Sequence, residues 1–304
     1  MNEFSFIREY LASVAGDGSE QLKDDCAWVK LAKDWLVVST DTSIEGVHFP
    51  KTVKGAALTE RAVRIAASDI ACKGADPIGM LVAMTLPHNL DPRLPRGYVL
   101  GLDEVSNALC MPLLGGDTTR HDGPLSLTVT VLGATSRKLL RSGAKDGDGL
   151  FLSGPIGDAA LGLRYMSGKP ADGDGQAFAV WEEAFLRPDI DFALGKRIAS
   201  VATATIDVSD GLLADAEHIA DASNVRLVVE AESVPFSKST APYAASSREA
   251  LLELVTAGDD YRILFTAPPD CALGHRIGHV EAGQGVRLCS GGEDITPDRL
   301  GYEH

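Results

Sequence analysis

The sequence predicts a mixed α/β fold (α+β in detail) in two domains, residues 1–137 and 138–304. Three observations carry this expectation. The chain of 304 residues is about twice the length of an ordinary domain. Apolar runs of strand length alternate with segments of helical period in both halves. A polar seam at residues 137–149, rich in glycine and charge, separates the halves. Hydrophobic residues make up 45% of the chain and charged residues 23%, so each half can bury a core.

Phe4, Ile7, Leu11 and Val14 repeat at helical spacing and predict a helix over 3–15, closed by Gly16-Asp17-Gly18. Cys26-Ala27-Trp28-Val29 reads as a strand, and Lys33-Asp34 turns the chain into a second strand over 35–40. That strand opens with the apolar Trp35-Leu36-Val37-Val38 and then becomes polar. Ser39, Thr40, Asp41, Thr42 and Ser43 put five oxygen-bearing side chains in a row at its end, ahead of Glu45, His48 and Phe49. Hard cations such as Mg²⁺ take oxygen ligands of this kind. A strand end with Asx and Ser/Thr turns uses the same residues.

Residues 56–71 predict an alanine-rich helix with Leu58, Ala62, Ile65 and Ala66 on one face. Asp69 continues that face, where a carboxylate is costly without a partner. The partner is either a backbone hydrogen bond or a metal. A buried strand follows over 78–86, a helix over 94–110, a short strand at 112–114 leading into Gly115-Gly116-Asp117-Thr118-Thr119, and an alternating strand over 125–132. Beyond the seam come a strand at 150–152, a helix from 156 to 165 and a Gly- and Asp-rich loop at 168–176. Helices at 178–186 and 190–201 are separated by Pro188. Asp207-Val208-Ser209-Asp210-Gly211 precedes a helix at 212–222, a strand at 225–230, a helix at 247–256 and a strand at 261–266. In the tail only a glycine loop at 291–292 stands out. His275 and His279, four apart, read as two surface histidines of one helix face.

The net charge of −15 repels nucleic acid and anionic membranes, and it repels nucleotides unless divalent cations intervene. No apolar stretch approaches the roughly 18 residues of a membrane span. The N-terminus has acidic Glu3 and no long apolar core, so no signal peptide is expected and the cytoplasm is the expected location. Cysteines at 26, 72, 110, 271 and 289 form no C-x-x-C pair, which argues for free thiols over disulfides or zinc.

Five acidic clusters share one context, an Asp beside Ser, Thr or Gly at the edge of an apolar run: Asp24-Asp25, Ser39-Thr40-Asp41-Thr42, Ser68-Asp69, Gly116-Asp117-Thr118-Thr119 and Asp207-Val208-Ser209-Asp210-Gly211. Converging carboxylates repel, and several Mg²⁺ ions around a polyphosphate would resolve that repulsion. Gly115-Gly116 allows close backbone approach to a ligand. Arg141 is suited to bidentate phosphate binding or to a surface salt bridge. A Walker A motif, kinase signatures, the dinucleotide fingerprint, Gly-x-Ser-x-Gly and His-Glu-x-x-His are all missing.

These segments, in this order, resemble the thiamine-monophosphate kinase family of the aminoimidazole-ribonucleotide-synthase-like ATP-binding superfamily. The resemblance rests on Asp24-Asp25-Cys26-Ala27, on Ser39-Thr40-Asp41-Thr42 with Glu45-Gly46-Val47-His48-Phe49, and on Ser68-Asp69-Ile70-Ala71 with Gly74-Ala75-Asp76-Pro77. It continues through Gly115 to Thr119, Arg141 to Lys145, Ile206 to Leu212 and Gly258-Asp259-Asp260-Tyr261. It implies two α/β domains, with N-terminal strands pairing into a barrel across a homodimer and ATP near that interface. It implies transfer of the ATP γ-phosphoryl group onto thiamine monophosphate. Asp25, Ser39, Thr40, Asp41, Asp69, Asp117, Asp207 and Asp210 fall where the family coordinates Mg²⁺. Gly116, Asp117, Arg141 and Ser209 fall where it contacts ATP, and His48, Asp259 and Tyr302 where it contacts the thiamine phosphate. On this reading Asp41, Asp69, Asp117 and Asp207 carry catalysis through bound Mg²⁺. Lys23 and Lys73 stand where the family usually has Gly and Met, and Asp259 stands where it usually has Glu. Another enzyme of the superfamily, or a non-catalytic nucleotide binder, are the alternative readings.

Overall fold

The computed structural model describes residues 18–169 and 173–302; the expected helix at 3–15 lies outside them, as does part of the 168–176 loop. The strands divide between two sheets. The first is five-stranded, in the order β1-β2-β5-β3-β4, from β1 (Ala27–Lys30), β2 (Trp35–Ile44), β3 (Asp76–Pro87), β4 (Leu113–His121) and β5 (Ser126–Thr135). All its pairs are antiparallel except β3 with β4. The second is seven-stranded, in the order β12-β11-β8-β10-β6-β9-β7. Its members are β6 (Gly149–Leu152), β7 (Ala204–Asp207), β8 (Arg226–Glu230), β9 (Ile263–Ala267), β10 (His275–Glu281), β11 (Gly285–Ser290) and β12 (Glu293–Asp294).

β2 runs four residues beyond the expected end at 40. The hydroxyl and acid run is strand, because β5 pairs with β2 along its whole length, Trp35 opposite Thr135 through Ile44 opposite Ser126. Thr40 and Thr42 meet Thr130 and Thr128 across the strands through hydroxyl contacts of 2.7 and 2.9 Å. The alternation turns Ser39, Asp41 and Ser43 to the opposite face. The short strand expected at 112–114 also runs on, through Gly115–Thr119. It belongs to β4, the edge strand, where Gly116 pairs with Val82 and all nine residues are exposed.

The helix α1 (Ala56–Cys72) packs on β2 and β5 of the first sheet and also on β7 of the second. Alanine supplies both high helix propensity and a flat face. A Schellman cap ends α1: Gly74 N–H bonds to Ala71 O at 2.9 Å, and Ala75 N–H to Ile70 O at 3.1 Å. Gly74 takes φ +67°, a left-handed conformation that suits glycine. The helix α2 (Leu94–Leu109) covers α1. Helices α3 (Asp158–Met166), α4 (Gly175–Leu186), α5 (Phe192–Val201) and α6 (Leu212–Ser223) follow, with shorter helices at Ala241–Ala244 and Arg248–Thr256.

The tail departs most from expectation. His275 and His279 lie on β10, and β10 to β12 carry little apolar content for a sequence pattern to detect. The partners of β10 and β11, β6 and β8, sit more than 40 residues away, and β12 pairs with β11. Among the described residues no helix is long and apolar enough to cross a membrane.

Candidate active site

Asp25, Asp41, Asp69 and Asp207 come together from four elements. Asp25 precedes β1, Asp41 lies on β2, Asp69 in the last turn of α1 and Asp207 at the end of β7. One carboxylate oxygen each of Asp25, Asp69 and Asp207 falls within 4.8 Å of the others, a set that can hold a metal ion. Asp41 lies beside them, close enough that its charge acts on Asp69 and the Asp25 charge acts on it. Asp41 Oδ2 is buried and has no hydrogen-bond partner, as expected of an oxygen meant for a cation.

Burial pushes the Asp41 carboxyl up to about 6, with the Asp25 charge adding to it. Burial and then the Asp41, Asp207 and Asp25 charges push Asp69 well above the carboxylate range. Burial and Asp25 raise Asp207 to about 7. Asp25 behaves in the opposite way. Burial opposes its ionisation, yet the charges of Arg141 and Lys73 hold it well below the ordinary value.

Two serines orient these acids. Ser39 Oγ bonds to Asp69 Oδ2, and Ser68 Oγ to Asp207 Oδ2. Ser68 Oγ also lies 2.8 Å from Ile65 O. A hydroxyl has one hydrogen, so when Ser68 gives it to Ile65, a protonated Asp207 donates to Ser68. Both arrangements keep the carboxyl in place.

The other expected site residues are placed as follows. Thr40 shows its hydroxyl to Thr130 on the face of β2 opposite Asp41, so its side chain is turned away from the acids. Asp117 is exposed on β4, and among the described residues no hydrogen bond or ion pair ties it to the cluster. Gly116 has φ +155°, and a Cβ there would stand 1.9 Å from Val82 O. Arg141 is partly buried. Its Nε donates to Asp25 Oδ1 at 2.8 Å and its backbone N–H to Asp24 Oδ1 at 2.9 Å. Asp210 groups with Asp215 and His218, apart from the four acids. Ser209, Asp210 and Gly211 direct their N–H groups at Asp215 Oδ2, at 3.0, 3.1 and 3.2 Å. That buried carboxylate shapes the loop after β7.

The loop after β7 is bracketed by two more segments. Asp259 N–H bonds to Ser209 O at 2.9 Å, Tyr261 N–H to Val208 O at 2.7 Å, and Tyr302 N–H to Asp210 O at 2.9 Å. So Asp259 and Tyr302 converge on Ser209 and Asp210. His48 belongs to the turn after β2, where its Nδ1 accepts the Ile44 N–H at 3.0 Å. Asp259 holds a left-handed backbone, φ +75°, unusual for a residue with a side chain.

Three residues outside the expected site prove central. Arg61, buried on α1, pairs with Asp259 Oδ1 at 2.5 Å and lies 3.7 Å over the Phe185 ring. Its signal was an arginine inside an alanine-rich, buried segment. Lys73 is fully buried and pairs with both Asp24 and Asp25. Asp260 accepts the Gly157 N–H at 2.8 Å through Oδ1, while its buried Oδ2 has no partner. Asp260 and Arg262 line a cleft of about 510 Å³ with Asp158, Arg187 and Asp189.

Residues 23–135 match the family model of the AIR synthase related protein, N-terminal domain. The thiamine-monophosphate kinase of Escherichia coli (strain K12) is 34% identical over 321 residues, covering 99% of this chain and 98% of the relative. That of Caulobacter vibrioides is 35% identical over 286 residues, covering 88% and 80%. The structure of AaThiL complexed with AMPPCP and TMP superposes with a TM-score of 0.89 at 28% identity, covering 100% of this chain and 97% of that one. The thiamine-monophosphate kinase of Stenotrophomonas maltophilia K279a gives 0.78 at 32% identity, covering 96% and 97%. Escherichia coli HypE, 20% identical with a TM-score of 0.71, shares the fold. With more than 30% identity sustained along almost its entire length, the chain belongs to the thiamine-monophosphate kinase family.

Proposed function

We propose that this chain transfers the γ-phosphoryl group of ATP to thiamine monophosphate, giving thiamine diphosphate and ADP. The observation that carries the reading is the convergence of Asp25, Asp69 and Asp207, with Asp41 beside them; burial and neighbouring carboxylate charges raise the pKa values of Asp41, Asp69 and Asp207. Such a site is at rest only with protons or cations on it. The oxygen-only donor set and the orphaned Asp41 Oδ2 suit Mg²⁺. Bound Mg²⁺ would neutralise phosphate charge and align donor with acceptor.

The chain's own residues do the rest. Asp41, Asp69 and Asp207 would hold the ions, with Asp117 of β4 as a further ligand. Ser39 and Ser68 fix the carboxylate orientations. Gly116 brings β4 backbone close to the nucleotide, and Arg141 and Ser209 complete the ATP side. The acceptor is already an anionic phosphate, so no general base is required. His48, Asp259 and Tyr302 form the thiamine phosphate side.

The same reading divides the chain at 137/138 and pairs two copies through the N-terminal sheet, with its barrel closed across the dimer. Support comes from exposed apolar side chains on and beside the edge strand: Ile78 and Leu81 of β3, Leu113 and Leu114 of β4. The cytoplasm, where ATP is held, is the location this reading assigns. The test is ADP release from ATP and Mg²⁺ with and without thiamine monophosphate, the thiamine products being separated by chromatography. Equal amounts of thiamine diphosphate and ADP are expected. ATP binding without thiamine diphosphate would refute the substrate.

A further inference from the structure

We propose that the Lys73 ammonium is a resident cation of this site. It fills, at the Asp24–Asp25 corner, a position that a divalent ion would otherwise take, and so confines metal to Asp41, Asp69 and Asp207. The proposal rests on the Mg²⁺ reading above and deepens it.

The Schellman cap at Gly74 ends α1 at Lys73 and turns the lysine into the space between the two sheets. The side chain has no exposure to solvent. An ammonium has three N–H donors, and three acceptors surround this one: Asp24 Oδ1 at 3.1 Å, Asp25 Oδ2 at 2.5 Å and Thr205 O at 3.1 Å. No donor is left over for a phosphate. Lys73 is therefore a positioning residue, acting through the acids it holds.

Asp25 lies between two protein cations. Arg141 donates to Oδ1, and the Lys73 ammonium stands 2.5 Å from Oδ2, an oxygen with no directed hydrogen bond that is balanced there by charge. Asp24 is equally committed, receiving Lys73 and the Arg141 N–H on Oδ1 and the Trp28 indole N–H on Oδ2 at 2.9 Å. Two carboxylates thus face two cations, and the corner is neutral by itself. Asp41, Asp69 and Asp207 have no such balance. Asp25 lies near enough to Asp69 and Asp207 to share an ion with them. That ion would have to share Asp25 with an ammonium, against like-charge repulsion in a buried site. On this proposal Asp25, which the family resemblance placed among the metal ligands, keeps to its two protein cations.

The test counts Mn²⁺ ions bound to the full chain, by electron paramagnetic resonance of the free ion, without substrates. Lys73→Met keeps the bulk and removes the charge; it should bind one more Mn²⁺ per chain than the wild type. Asp25→Asn should bind the same number as the wild type. An unchanged count in Lys73→Met, or the loss of one ion in Asp25→Asn, would overturn the proposal. Should Lys73→Met not fold even with Mn²⁺ present, the Asp25→Asn count decides alone. A wild-type chain that binds no Mn²⁺ overturns the Mg²⁺ reading itself, and the proposal with it.

Discussion

Replacing Asp207 with Asn should make the metal-free protein more stable while abolishing its activity. Asp207 is 3% exposed, and burial with the Asp25 charge raises its pKa from 3.8 to about 7. For an acid raised in this way, the sign runs against ionisation. Stability is complete below the unfolded value near 4 and is lost as pH rises through about 7. A rise of about three pH units, at roughly 1.4 kcal/mol each, makes the ionised group cost about 4 kcal/mol at pH 8. Asparagine carries no charge at either pH and escapes that cost. A poorer bond to Ser68 returns about 1 kcal/mol, leaving a gain of about 3 kcal/mol at pH 8 and a smaller gain at pH 5. Saturating Mg²⁺ should reverse the order, because an ion bound only by the folded wild type stabilises it by mass action. The assay is urea unfolding of both proteins at pH 5 and pH 8, in chelator and in Mg²⁺, beside a turnover measurement. Asp207→Asn less stable than wild type at pH 8 in chelator would refute the electrostatic reasoning. Wild-type turnover in the variant would refute the site.

Asp117→Asn offers the contrast: an exposed side chain on an edge strand should change stability by no more than about 0.5 kcal/mol, yet lower kcat on the order of 100-fold. A matched pair of unfolding curves and initial rates checks it. Gly116→Ala drives a methyl into Val82 O and should cost about 3 kcal/mol, read as a lower urea midpoint. Arg61→Met strips Asp259 of its ion pair. Because Asp259 keeps a quarter of its side chain exposed, the stability loss should be roughly 2 kcal/mol, below that of a fully buried pair. KM for thiamine monophosphate should rise while KM for ATP stays constant; equal changes in both would count against the substrate role of Asp259.

Most helices of the described chain were legible because a 3.6-residue apolar period is a local property. The α1 helix was expected at 56–71 and ends at Cys72. The acid clusters were legible too, since Asp beside Ser, Thr or Gly at a strand edge is a pattern of neighbours. Strand length was not. The polar ends of β2 and β4 lack a strand pattern of their own until β5 and β3 supply hydrogen-bond partners from more than 30 residues away. The tail strands failed for the same reason.

The sequence by itself determined the alternation of elements, the inventory of carboxylates and, through their order, the family. Only the tertiary structure decided which of those carboxylates meet, and what charges surround them. Asp25 and Asp207 are chemically identical in sequence. One sits between Lys73 and Arg141 and stays ionised; the other is buried among acids and holds its proton near neutral pH. Burial and neighbouring charge set a carboxyl's pKa, and both come from residues distant along the chain.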